Sequence, residues 1–464
     1  MASRTLLATA CLVVLLLLTL GGAPVEARRR PRWPHYREVA PGHGLSTTAN
    51  APESSSVDGY AYATTIDVGG FGAAGDGKTD GTAAFQKAWA EACSSANSSA
   101  QPAVVLVPAG RSYLLKETSL SGPCKSRVTF RLEGTLVAPE DKSGWGKPGS
   151  LPRWIIFRGV DGLIVTGEGA MDGRGASSWK NSCRTNHAMP CTVAPSALTF
   201  ASCDHLVVDG ITLLNAPQIH LWVELCRDVT LSRLTIASPG DSPENDGIHV
   251  ARSDGVRILG ARIGAGDDCL SVATGTANLY AAGIECGPGH GISIGSLGRW
   301  NSRAEVSNVT VDGATVSGTM FGARIKTWQG GSGFVRGVRF LNMAMDRVRY
   351  PILIDQNYCT RPHPSDTTAC DHQESRSSAV EVSNVVFGNI WGTAVARDAI
   401  RLHCSEAFPC RDVVLRDVQL RTRKGGEKNA ATSSCENALL GESTNVSPPP
   451  CSSGRVSSKR RHHM

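Results

Sequence analysis

Aromatic side chains make up only 6% of the 464 residues, and after residue 25 no apolar run is long enough to span a bilayer. Past the first segment, a bundle of membrane helices is excluded. No two cysteines form a CxxC pair and no histidines flank them in a ligand pattern, which removes the usual zinc frameworks. Neither sign of charge dominates: 47 Lys and Arg against 41 Asp and Glu leave +6. So mild an excess suits an anionic polysaccharide at least as well as nucleic acid.

Glycine is abundant, with 50 residues, alongside 41% hydrophobic residues. This mixture fits many short strands separated by turns, and the length fits one large all-β domain. The N-terminus carries Arg4, an apolar run from Leu6 to Leu20 and a small-residue exit at Val25-Glu26-Ala27, the pattern of a secretory signal cleaved near Ala27. Residues 28–63, opening with Arg28-Arg29-Arg30, read as a flexible arm, 64–440 as the folded domain, and 441–464 as a Ser/Pro/basic tail. The product is expected to be extracellular, monomeric and free of membrane or nucleic-acid partners.

Of 15 cysteines, Cys11 lies in the signal segment, and the remaining even number suits an oxidising compartment. Spacing suggests bridges Cys183–Cys191, Cys269–Cys286, Cys359–Cys370, Cys404–Cys410 and Cys435–Cys451. Asn97, Asn308 and Asn445 open glycosylation sequons.

Behind Thr79 or Asp80 as N-cap, Phe85, Ala88, Trp89, Ala92 and Cys93 fall at helical spacing. The rest repeats weakly. Asp204 to Leu213 is echoed from Asp228, Gly255, Asn308, Gly337, Asn384 and Asp412, at about 23 to 30 residues apart from two longer gaps. Each unit pairs two short strands around a polar corner and cannot bury its apolar face alone, so stacking into a parallel β-helix (solenoid), capped by the helix, is expected. A leucine-rich repeat would show a Leu/Asn framework, and a propeller would need longer units.

Asp246 precedes Asp267-Asp268 by close to one repeat, and His290 follows by another. These residues should therefore converge on one wall. Adjacent strand residues face opposite ways, so Asp267 and Asp268 share a cleft only if the chain bends, which Gly264 and Gly266 ease. Paired carboxyls in different ionisation states are what glycosidic hydrolysis needs. Arg324 and Lys326, two apart, share a strand face and could grip acidic substrate groups. Alone, each feature has a bland reading: a solvated Asp-Asp turn, an Asp-Gly turn, an exposed basic strand. Their order within one repeat array favours the joint reading.

Through Ser242-Pro243-Glu244-Asn245-Asp246-Gly247, Gly266-Asp267-Asp268-Cys269, Gly289-His290-Gly291, Arg324-Ile325-Lys326 and Asp355-Gln356-Asn357-Tyr358-Cys359, the chain resembles plant polygalacturonases of glycoside hydrolase family 28. The resemblance spans roughly Thr64 to Cys410. It implies a right-handed parallel β-helix and hydrolysis of α-1,4-linked galacturonate in de-esterified pectin with inversion, without metal or cofactor, in the cell wall. Asp267 resembles the general acid, Asp246 and Asp268 the carboxylates activating water, and His290 the group tuning them. Arg324, Lys326 and Tyr358 resemble substrate-binding residues. One departure is Glu244, where the family pattern has Asn. On Asp246's face it would add negative charge beside an anionic substrate. Endo or exo attack stays open, and a calcium-dependent pectate lyase or a non-cleaving pectin-binding wall protein are the competing readings.

Overall fold

Val208, Leu231, Ile258, Ala281, Val311, Phe340, Phe387 and Leu415 occupy matching positions on successive parallel strands. All eight are sealed from solvent. Stacking like residues in register gives every coil the same inward face. Each large apolar side chain buried this way contributes on the order of 1.5–3 kcal/mol, and Phe340 stacks directly on Phe387 at 5.5 Å. In this computed structural model the described residues are 64–94, 102–140, 145, 152–360, 379–423 and 430–451, all within the unit Gly59–Met464.

The architecture is a right-handed parallel β-helix. Where the repeats suggest two strands per coil, the structure has three. One sheet of eleven strands runs from Thr118–Ser121 to Thr432–Glu436, and two further ladders merge into a sheet of 22. The echoes seen in sequence are the strands of that larger sheet. The eleven-strand sheet escaped the pattern because its outward face, Thr199, Trp222, His249, Ser271, Ser293 and Arg324 in register, is itself largely buried and repeats no residue type.

The expected helix is Thr82–Ser94, with Ala84, Phe85, Ala88, Trp89 and Ala92 buried. Asp80 accepts from the Thr82 backbone N–H at 2.9 Å, as a cap should. Trp89 meets Phe157 edge-on at 5.3 Å, and Cys93–Cys124 ties the helix to the first coils. At the other end the last strand among the described residues is Ala438–Ser447, paired with Cys410–Thr422, so regular structure continues past residue 440. Among the described residues no helix is long and apolar enough to cross a membrane.

Four of the suggested bridges are present: Cys183–Cys191, Cys269–Cys286, Cys404–Cys410 and Cys435–Cys451. Cys203 and Cys226 depart from the even-number argument. They are buried free thiols in the stacked interior, where they fill space as small apolar residues. Residues 1–63, Asn97, Cys370 and 452–464 lie outside the described residues. The side-chain amides of Asn308 and Asn445 donate to Asn278 and Asp417, engaging both sequon nitrogens in outer ladders.

Candidate active site

Asp246, Asp267, Asp268 and His290 all stand at the entrances of strands in the eleven-strand sheet: before Ile248–Ala251, Leu270–Val272 and Ile292–Leu297. Because they sit in connections, strand alternation does not separate Asp267 from Asp268. The bend there depends on Gly266, where an added Cβ would meet the Ser242 carbonyl oxygen at 1.8 Å. Gly289, in the left-handed region at φ +142°, lets His290 turn back over Asp267. His290 then takes the Asp267 carbonyl by its backbone N–H at 2.7 Å and Asp267 Oδ1 by Nδ1 at 2.8 Å.

Asp246 joins them directly. Its Oδ1 accepts the Asp268 backbone N–H at 3.2 Å, and Gly247 N–H donates to the Asp268 carbonyl at 2.8 Å. The four residues are therefore brought together as expected. Arg324 and Lys326 are not open cations awaiting a ligand. Both are buried and bind Asp268: Arg324 Nη2 reaches Oδ1 at 2.5 Å, and Lys326 Nζ reaches Oδ2 at 2.8 Å. Ser293 completes the cluster, donating to Asp268 Oδ1 and accepting from Arg324 Nε, each at 2.8 Å. Arg324 also lies 4.0 Å over the Phe321 ring, and Lys326 Nζ is 5.4 Å from Tyr358.

This electrostatic arrangement drives two neighbouring carboxyls apart. Burial pushes Asp246 up to about 6; a contact with His249 opposes this, and the charges of Asp267 and Asp268 add to it. Burial would raise Asp267 too, but the His290 hydrogen bond and the charges of His290, Lys326 and Arg324 overcome it and bring Asp267 down to about 2. Burial alone would lower Lys326, yet Asp268 holds it charged, above its ordinary value. Asp267, Asp268 and His290 also offer ligand atoms within 4.8 Å of one another. They do not fit a metal: both Asp268 oxygens and His290 Nδ1 are engaged, and two fixed cations already neutralise the acids.

Residues 93–444 match the family described as glycosyl hydrolases family 28. The chain is 44% identical to "Polygalacturonase-2" of Solanum lycopersicum over 392 residues, covering 84% of this chain and 82% of that one. It is likewise 44% identical to "Polygalacturonase" of Malus domestica over 404 residues, with 87% and 83% covered.

The chain belongs to glycosyl hydrolases family 28.

Solved structures share the fold of this family 28 chain. Endo-xylogalacturonan hydrolase from Aspergillus tubingensis aligns with a TM-score of 0.66 at 21% identity, over 81% of this chain and 100% of that one. The polygalacturonase from Erwinia carotovora ssp. carotovora gives 0.65 at 21%, over 85% and 99%.

Glu244 does not share Asp246's face. Its backbone is left-handed (φ 52°), and its carboxylate pairs with Arg184 Nε at 3.0 Å, on the excursion held by Cys183–Cys191. The neighbouring Asn245, fully buried, instead donates to the carbonyls of Ala216 and Gln218 at 2.6 and 2.7 Å. Two histidines were missed from the sequence. Buried His220 donates Nδ1–H to the Asp246 carbonyl at 2.8 Å, and burial lowers it to about 4, keeping it neutral. His249 faces the Asp246 carboxyl itself, 3.5 Å away. His249 is in register with Ser271 and Ser293, whereas His220 precedes its strand and has no such mark.

Proposed function

We propose that this chain is a secreted polygalacturonase that hydrolyses α-1,4-galacturonosyl linkages of de-esterified pectin in the cell wall, acting as a monomer with inversion. The observation that carries the reading is the pair of touching aspartate segments with opposed acidities, beside buried Arg324 and Lys326. Such a pair holds one proton between pH 2 and 6, as acid–base cleavage requires. The names of the relatives and the disulfide-rich coils support it.

In the free chain the proton resides on Asp246. A uronate carboxylate docking toward Lys326 and Tyr358 offsets the positive field that holds Asp267 down, so Asp267 rises and takes the proton. Asp267 then gives that proton to the leaving oxygen as the glycosidic bond breaks. Water adds to the anomeric carbon and passes its own proton to Asp246. Asp268, with both oxygens engaged, orients Asp246 through its backbone N–H and anchors the two cations. His290 keeps Asp267 aligned.

Purified protein incubated with oligogalacturonates of defined length, with product sizes and anomers followed by NMR, tests this reading. Chelator-resistant release of reducing ends with inverted anomers is expected. Unsaturated, ultraviolet-absorbing products lost on chelation would establish a lyase instead, and binding without cleavage a wall-binding protein.

A further inference from the structure

His249 stands three residues after Asp246, on the outward face of the strand Ile248–Ala251, and none of the motifs assigns it a part. Its Nδ1 lies 3.5 Å from Asp246 Oδ2. That nitrogen is sealed from solvent and makes no hydrogen bond. A buried polar atom left unpaired is costly unless it serves something, and it faces a carboxyl of the active site.

The orientation of the ring is built. Trp222, in register on the preceding strand, meets the imidazole edge to face, with centroids 5.1 Å apart and planes at 74°. Trp222 is itself clamped by the Arg153 guanidinium 4.3 Å over its ring. Arg153 is pinned by Glu224 at 3.3 Å, and Arg252 closes on the other Glu224 oxygen. On the following strand the register partner is uncharged Ser271. The charges around His249 are thus Asp246 at 3.5 Å and, behind Trp222, Glu224 with Arg153 and Arg252, which together leave one positive charge; Asp267 and Asp268 lie beyond Asp246, whose Oδ1 holds the Asp268 N–H.

We propose that His249 is a positioning residue that, together with the docked uronate, sets which of Asp246 and Asp267 carries the single proton of the site. As an imidazolium, a small rotation brings Nδ1–H into a hydrogen bond with Asp246 Oδ2. Asp246 is then ionised, and the proton moves from its carboxyl oxygen to that of Asp267. No other bond changes. With His249 neutral, only the docked uronate draws the proton across, so Asp246 stays protonated more of the time and accepts one from water less often. The kinetic side of this inference rests on the polygalacturonase reading.

Two measurements test it together: pH profiles of kcat and KM on an oligogalacturonate for wild type, His249→Ala and His249→Asn, and the ¹³C carboxyl titration of Asp246, assigned by its absence in Asp246→Asn. Removing a neighbouring cation raises a carboxyl, so the Asp246 midpoint and the alkaline limb of kcat/KM should both move up by about one pH unit in His249→Ala. kcat should fall at least about tenfold with KM nearly unchanged. Asparagine places an uncharged N–H near the same oxygen, so His249→Asn should recover part of kcat while its limb stays displaced. An Asp246 midpoint that does not move, or activity reduced evenly across pH in both variants, overturns the proposal. If the wild type releases no reducing ends, the enzymatic reading fails, and the carboxyl titration still decides the coupling.

Discussion

Replacing Asp268 with asparagine removes the only anion from a cluster whose three charged side chains are 2%, 4% and 7% exposed for Asp268, Arg324 and Lys326. Two buried cations then lose their hydrogen-bonded counter-charge and keep only the more distant Asp267, a loss of about 3–5 kcal/mol. Spread over an unfolding entropy of roughly 0.8 kcal/mol/K for a domain of this size, about 4 kcal/mol lowers Tm by about 5 °C. Asp246→Asn should do the opposite. Its carboxyl is raised to about 6 in the folded chain. Ionised at pH 7, it therefore opposes folding by on the order of 2–3 kcal/mol relative to an unfolded value near 4. That penalty is absent below pH 4, where both states are protonated, and is complete above pH 6. Asp246→Asn is thus expected to melt a few degrees higher than wild type at pH 7 and equally at pH 4, while Asp268→Asn melts lower at both. Both should lose activity by about 10²-fold or more. Calorimetry at the two pH values, with reducing-end release on the same samples, makes the comparison. An Asp268→Asn protein melting within a degree of wild type would refute the burial argument.

Further outcomes follow from the same geometry. Because the shared proton leaves as Asp246 titrates, kcat/KM on polygalacturonate should decline above about pH 6; a profile flat to pH 8 would contradict it. Glu244→Asn should leave kcat and KM within about twofold and cost no more than about 1 kcal/mol, since its partly exposed ion pair with Arg184 is peripheral; a several-fold rise in turnover would restore the view that it repels substrate. Alkylation mapped by mass spectrometry should label Cys203 and Cys226 only after unfolding, as both are buried thiols; modification of either in the native protein would be inconsistent with the interior stack.

The acids were legible because one coil is about as long as their separation. Ile248 pairs with Leu270, and Leu270 with Ile292, so a spacing of 21 or 22 residues in the chain becomes one strand step in space. Of the two longer gaps in the repeats, Gly255 to Asn308 spans an unechoed strand, Thr276–Ala282, and Gly337 to Asn384 is the single step from Phe340 to Phe387. Contacts that depend on side-chain direction were not legible. Glu244 turns away because its backbone is left-handed and Arg184 sits sixty residues earlier. Spacing gives Arg324 and Lys326 a shared face but not what they meet there: the register puts Arg324 beside Ser293 and both cations over Asp268. An even cysteine number suggested full pairing, but Cys203 and Cys226 fall on neighbouring coils in the apolar interior, where cysteine also serves as filling.

The Asp268 cluster reaches across three successive coils through Asp268, Ser293 and Arg324. It rivets the same turns of the solenoid that carry the reacting groups. A lineage descending from this chain that gave up cleavage would therefore shed Asp246, whose loss relieves strain on the scaffold, and keep Asp268 long after its catalytic use had ended.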